Sequence, residues 1–224
     1  RYRNPHQCVW FSIEADWGAP SFKIVGQGMP PMVDAGFDFY APQSFEDVAG
    51  RRLMIGWSGC PDAKAESPTV ARGWQCALTV PRELSMRGGK LCQQPAHEIE
   101  RMRGNCVRAV GGETVEEPGR LFDLVVSCEG AKMVELEIRK GVFVRYADGM
   151  LTLDMGDEGY GRDQRSIELS ELRDLRVLSD TTMVEIFANG GEAALTSRTY
   201  SPAVSAMGLH AEGAASMNFY RLVH

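Results

Sequence analysis

The sequence of 224 residues is 44% hydrophobic and 24% charged, the balance of a folded chain with one large domain or two small ones. That excludes collagen-like, coiled-coil and disordered classes, and no apolar run approaches the roughly 18 residues of a membrane-crossing helix. A net charge of −6 argues against a nucleic-acid partner, since the short arginine clusters at 1–3, 51–52 and 101–103 are isolated and flanked or followed by acids.

In chain order, short β-type runs separated by turn residues dominate, which predicts an all-β protein. Strands are expected at 8–13, 37–45, 53–57 and 74–80. They follow more densely at 121–128, 133–138, 142–146, 150–155, 183–188 and 192–196. Val134-Glu135-Leu136-Glu137-Ile138 alternates apolar and acidic residues, as on a sheet with one wet face. Asp148-Gly149 and Asn189-Gly190 read as hairpin turns, because both dipeptides tolerate the positive φ of a type I′ turn. Helix signals are few. Residues 94–103, with Pro95 near the start and apolar residues at Ile99 and Met102, predict a short helix, and 170–175 a single turn. Residues 82–103 have little strand character, so two β units are expected, 1–90 and 91–224, divided near Leu91.

Six cysteines (Cys8, Cys60, Cys76, Cys92, Cys106 and Cys128) stand far apart with no C-x-x-C pair, which disfavours zinc fingers, iron–sulfur clusters and dithiol redox sites. Reduced thiols in a cytoplasmic protein are expected, and no leader peptide is legible at an N-terminus that opens on Arg1. Gly26-Gln27-Gly28 lacks the third glycine of a dinucleotide fingerprint. His6, His97, His210 and His224 are scattered and no serine sits in a G-x-S-x-G context, so no nucleophile constellation assembles.

The unusual residues gather at 34–41, Asp-Ala-Gly-Phe-Asp-Phe-Tyr-Ala, where two carboxylates and a tyrosine surround a glycine turn. Strand alternation would face Asp38 and Tyr40 to one side and Phe37 and Phe39 to the other. Carboxylates accept hydrogen bonds from hydroxyls and aromatic faces cover the C–H side of a sugar ring, so this is equipment for binding a sugar. The same residues equally suit an Asp34 that caps a turn and a Tyr40 that fills a core. Trp57 and Trp74 carry the same two readings.

DAGFDFYAPQSFED at 34–47, GRRLMIGWSG at 50–59 and GWQCALTVPREL at 73–84 resemble glycoside hydrolase family 32, in its bacterial, invertase-like branch. LRVLSDTTMVEIFANGGEAALTSRTY at 175–200 resembles the last strands of that family's C-terminal module. The resemblance implies the C-terminal part of a five-bladed β-propeller over 1–90, followed by a β-sandwich over 91–224. It also implies retaining cleavage of β-fructosyl bonds in sucrose or sucrose 6-phosphate, by carboxylates about 5 Å apart. No metal or organic cofactor is implied. The family's W-M-N-D-P-N-G, R-D-P and E-C elements, which carry its catalytic carboxylates, are absent. Arg3-Asn4-Pro5 and Cys128-Glu129 sit in no matching context. The chain is therefore expected to be a C-terminal half, inactive alone, with the N-terminal half of its own enzyme as partner. Position by position, Asp34, Asp38 and Tyr40 are implied to line the rim of the sugar pocket and Trp57 to be a substrate-facing aromatic. Pro81-Arg82-Glu83-Leu84 is implied to fix a strand at the junction of the two units. Two other readings stay open: a non-catalytic sugar-binding or docking module, and a secreted member of the family acting on levan or inulin.

Overall fold

A computed structural model describes residues 6–26, 28–59, 67–110 and 112–223. The arginine cluster at 1–3, Asn4, Pro5, Gln27, Cys60 and His224 lie outside the described residues. β1 (Ser12–Asp16) and β2 (Ser21–Val25) form an antiparallel hairpin of their own. Next come β3 (Tyr40–Glu46), β4 (Arg52–Ser58), β5 (Ala77–Leu78), β6 (Arg82–Arg87) and β7 (Lys90–Pro95). These build an antiparallel sheet in the order β3-β4-β6-β7, with β5 against the end of β4.

Among the described residues twelve strands follow. They are β8 (Arg103–Val110), β9 (Thr114–Glu116), β10 (Phe122–Ser127), β11 (Met133–Arg139), β12 (Val142–Ala147), β13 (Met150–Asp154), β14 (Gln164–Glu168), β15 (Asp174–Asp180), β16 (Met183–Ala188), β17 (Ala193–Arg198), β18 (Ala206–Glu212) and β19 (Ser216–Leu222). They divide between two six-stranded sheets, ordered β17-β16-β15-β10-β19-β8 and β14-β13-β12-β11-β18-β9. Alternate residues of β10 (Phe122, Leu124, Val126) and of β11 (Val134, Leu136, Ile138) are at most 1% exposed and share one buried apolar cluster. Glu135 and Glu137 take the other face of β11, half-buried, as the alternation predicts.

The Asp148-Gly149 hairpin forms as read: both residues have positive φ (50° and 72°) and Ala147 faces Met150, a two-residue turn. The second hairpin differs. Asn189, Gly190 and Gly191 all have positive φ and Ala188 faces Ala193, so the loop has four residues.

Other expectations are corrected. The helix at 94–103 is only a 3-10 turn, His97–Met102, because Pro95 already belongs to β7 and Arg103 opens β8. No turn forms at 170–175, where Asp174 starts β15 opposite Ser127. Within 74–80 only Ala77–Leu78 is strand, and within 8–13 the strand starts at Ser12. Residues 82–95 form a regular hairpin that turns on Gly88 and Gly89, both at positive φ. Its buried positions include Arg82 and Gln93, so apolar alternation cannot reveal it. Leu91 lies inside β7, and the first sheet continues to Pro95. Among the described residues no helix is long and apolar enough to cross a membrane.

Candidate functional site

The strand expected at 37–45 begins only at Tyr40, and residues 34–39 lie irregularly across β17. The Ala35 amide donates to the Ala194 carbonyl (2.8 Å) and the Asp38 amide to the Thr196 carbonyl (3.0 Å). A Cβ on Gly36 would sit 2.1 Å from the Thr196 carbonyl oxygen, so only glycine permits this approach. The approach carries each aspartate of the motif to a buried arginine.

Asp34, 4% exposed, accepts hydrogen bonds from the Gly36 amide (2.8 Å), the Thr196 amide (2.8 Å) and hydroxyl (2.6 Å), and Arg82 Nη1 (2.9 Å). Arg82 is fully buried. It donates as well to Glu185 Oε2 (2.7 Å) and Gln93 Oε1 (2.7 Å), and lies 4.6 Å from the centre of the Phe39 ring. Burial alone would depress this guanidinium, but Glu185 and Asp34 more than reverse that and hold it above its ordinary pKa. Burial pushes the Glu185 carboxyl up, against the pull of Arg82. Asp38, also fully buried, takes a two-pronged contact from Arg162, Nε at 2.6 Å and Nη2 at 2.7 Å, and the Arg198 amide at 2.8 Å. The structure thus places both aspartates at the junction between the first sheet and β17, saturated by fixed donors. Such carboxylates hold backbone in place.

The aromatic candidates come together elsewhere. Tyr40 faces Trp57 across β3 and β4, edge to face, with ring centres 5.8 Å apart, and the His6 ring lies 5.2 Å from that of Tyr40. All three are half-buried. Ala41, at φ 42°, opens an irregularity in the pairing between Tyr40 and Gln43. A bulge of this kind re-aims the side chain beside it. Asp38 and Tyr40 therefore do not share a face: one turns into the junction and the other joins an aromatic patch. Rings carrying a hydroxyl and ring nitrogens can cover the C–H face of a sugar while hydrogen-bonding its edge.

His6, Arg82, Arg162 and Glu185 were not among the candidate residues. The P-R-E-L motif signals a structural role for Arg82, but nothing near Arg162 or Glu185 marks them, because their partners lie more than 100 residues away. Trp74 is 42% exposed and lies over Arg198. Among the described residues no group of His, Cys, Asp and Glu could hold a metal ion.

Comparisons with known proteins agree with this layout. Residues 1–95 match the Glycosyl hydrolases family 32 N-terminal domain, and residues 143–222 match the Glycosyl hydrolases family 32 C-terminal domain. A sucrose-6-phosphate hydrolase of Salmonella typhimurium is 34% identical over 91% of this chain and 42% of its own length. One from Bacillus subtilis is 33% identical over 97% and 47%, and a raffinose invertase of Escherichia coli 36% over 92% and 45%. The chain thus spans somewhat under half the length of these relatives. Among solved structures, a Bombyx mori GH32 beta-fructofuranosidase variant in complex with sucrose shares the fold with a TM-score of 0.82. It does so at 22% identity, over all of this chain and 48% of that one. The Lactobacillus gasseri sucrose-6-phosphate hydrolase gives 0.76 at 23% identity, over 90% of this chain and 44% of that one. Matched by both the N-terminal and the C-terminal profile of one family, with the two aspartates of its D-A-G-F-D motif buried between the matched segments, the chain belongs to glycoside hydrolase family 32.

Proposed function

We propose that this chain is the C-terminal part of a retaining hydrolase that cleaves the β-fructosyl bond of sucrose or sucrose 6-phosphate. The observation that carries the reading is the continuous similarity, over nine-tenths of the chain or more, to sucrose-6-phosphate hydrolases and an invertase. The antiparallel sheet β3-β4-β6-β7 supports a propeller blade, and the paired six-stranded sheets around one core support a β-sandwich, with the division after Pro95. Free thiols at all five described cysteines favour the cytoplasm.

In this reading Tyr40 and Trp57 form one wall of the fructosyl pocket, with His6 behind them. Asp34 and Asp38 act as positioning residues: they lock residues 34–39 against β17, which fixes where Tyr40 emerges. The nucleophile and acid/base come from residues outside this sequence, so the 224-residue chain alone releases no glucose from either substrate.

The test uses the chain joined to the preceding half of its enzyme. Trp57→Ala and Tyr40→Phe should lower kcat/KM tenfold or more while the melting temperature stays within a few degrees. A collapsed melting temperature with unchanged kinetics per folded molecule would return both residues to a packing role. Glucose release by the 224-residue chain, shown by mass to be free of the other half, would overturn the assignment of the missing carboxylates.

A further inference from the structure

Among the described residues four arginines are buried, and three of them have hydrogen-bond partners, with only Nη1 of Arg139 left over. Arg82 is paired with Asp34 and Glu185, and Arg162 with Asp38. Arg139 donates to the Ser179 hydroxyl and to the carbonyls of Arg120 and Asp180. Arg198, at the end of β17, is the exception. It is 1% exposed, yet Nε, Nη1 and Nη2 are all without a hydrogen-bond partner. Its backbone is fixed, since the Arg198 amide donates to Asp38, so the side chain cannot swing out with its strand. The guanidinium lies over two rings, 5.4 Å from the centre of Trp74 and 5.8 Å from that of Tyr200.

Ring faces attract the cation but accept none of its in-plane N–H bonds. A charge removed from water with five donors unused is among the costliest arrangements a protein interior can hold, and it is resolved by an anion. A guanidinium offers parallel donors in a fixed fork, the geometry that recognises the oxygens of phosphate or carboxylate. Hydroxyls flank it in sequence, at Ser197, Thr199, Tyr200 and Ser201. The Tyr200 hydroxyl is hydrogen-bonded to Ser67, whose own hydroxyl meets Thr69 at 2.8 Å, and the buried Ser201 hydroxyl has no partner. A tetrahedral oxyanion keeps a third oxygen for such a hydroxyl once the fork holds two, whereas a carboxylate has both of its oxygens in the fork. Trp74, one of the two rings under the guanidinium, is 42% exposed.

We propose that Arg198, between Trp74 and Tyr200, is the bidentate donor of a binding site for a phosphate group. The site stands on the unpaired guanidinium alone; assigning its ligand as a sugar phosphate rests on the fructosyl reading above.

The test is a titration of the intact chain at constant ionic strength, chloride replaced in turn by inorganic phosphate and sucrose 6-phosphate, with sucrose as the neutral control. Thermal midpoint and tryptophan fluorescence are both followed. Phosphate should raise the midpoint saturably and perturb the emission, while Arg198→Lys should weaken binding tenfold or more and Arg198→Gln abolish it. Trp74→Phe should remove the fluorescence change and keep the thermal one. Sucrose 6-phosphate binding tenfold tighter than inorganic phosphate supports a sugar-phosphate site, and equal affinities support a site for free phosphate. The proposal is overturned if the wild-type chain responds to neither anion, or if the response persists in Arg198→Gln and so marks only an adventitious ion. The wild-type arm decides even if a variant fails to fold. Phosphate binding without sucrose hydrolysis by the joined enzyme would count against the fructosyl reading and leave the site standing.

Discussion

The two halves of this molecule are held together by different forces. From β8 onward, two sheets bury a continuous apolar cluster whose members on β10, β11, β12 and β13 are almost all below 2% exposure. Among the described residues the first half has no comparable interior. Its own cluster is Val33, Phe39 and Met54, and on β1 and β2 Phe22 and Ile24 are 66% and 53% exposed. Order in that half comes from outside, through Arg82 to Glu185 and Thr196 and through Asp38 to Arg162. A sheet without a full core can be placed accurately by charge, provided that every buried charge is matched. The cost is that its stability belongs to the partner sheet as much as to itself.

The largest effect should come from breaking the buried clasp. Arg82→Ala leaves Asp34 and Glu185 buried together without a cation and should cost about 3–5 kcal/mol in denaturant unfolding. Hydrogen exchange in that variant should show β3–β7 losing protection first, and a uniform loss across both halves would break the comparison. Leu124→Ala, in the middle of the apolar interior, should cost about 3 kcal/mol. Its effect should appear in every strand from β8 onward, because that core is one unit. Gly36→Ala pushes a methyl group into the Thr196 carbonyl and should cost about 1–3 kcal/mol, with the first half loosened and the second unchanged. Equal loosening of both halves would mean that the contact organises β17 as well.

Two smaller effects sharpen the contrast between buried and exposed contacts. Tyr40→Leu removes two edge-to-face pairs, with Trp57 and His6, on a half-buried surface and should cost about 1–2 kcal/mol, read from the shift in denaturant midpoint. At the rim, Arg51 joins Asp47 to Glu98 on the 3-10 turn, an exposed counterpart of the Arg82 clasp. The hydrogen bond from Arg51 holds the Glu98 carboxyl down at about 2. A carboxyl depressed on folding stabilises above its ordinary titration range and loses that contribution as pH falls towards 2. Glu98→Gln should therefore be slightly less stable than wild type at pH 6, with the gap closing by pH 2. A gap that does not change with pH would remove Arg51 from the contacts that join the halves.

What could be read from the sequence follows the range of the forces involved. The Asp148-Gly149 turn and the alternation in β11 are legible because two to five adjacent residues determine them. The β6–β7 hairpin is not, since its inward positions are filled by Arg82 and Gln93, whose burial makes sense only beside Asp34, Val33 and Glu185. The site divides in the same way. Tyr40 and Trp57 were picked out as aromatic candidates, and cross-strand pairing does bring them together. For Asp34 and Asp38 the motif marked the positions, but their task depends on partners as far as 162 residues away. His6 carries no signal at all until the fold sets it against Tyr40.

The separation between Arg82 and its partners also has a consequence in time. Glu185 follows Arg82 by 103 residues and Thr196 by 114. At roughly 5–20 residues per second, a ribosome delivers the second half of the clasp about 5–20 s after the first. During that interval β6 and β7 exist without β16 and β17, and the charged interior of the first sheet stays open to water. The late hairpin at Asn189–Gly191 then acts as a latch, its Gly190 carbonyl taken up by Arg87 and Gln94 and its Gly191 carbonyl by the Gln93 amide. The later part of the chain thus acts as a checkpoint on its first two-fifths: a nascent chain that stalls before residue 160 has made the whole first sheet and none of the buried partners that lock it.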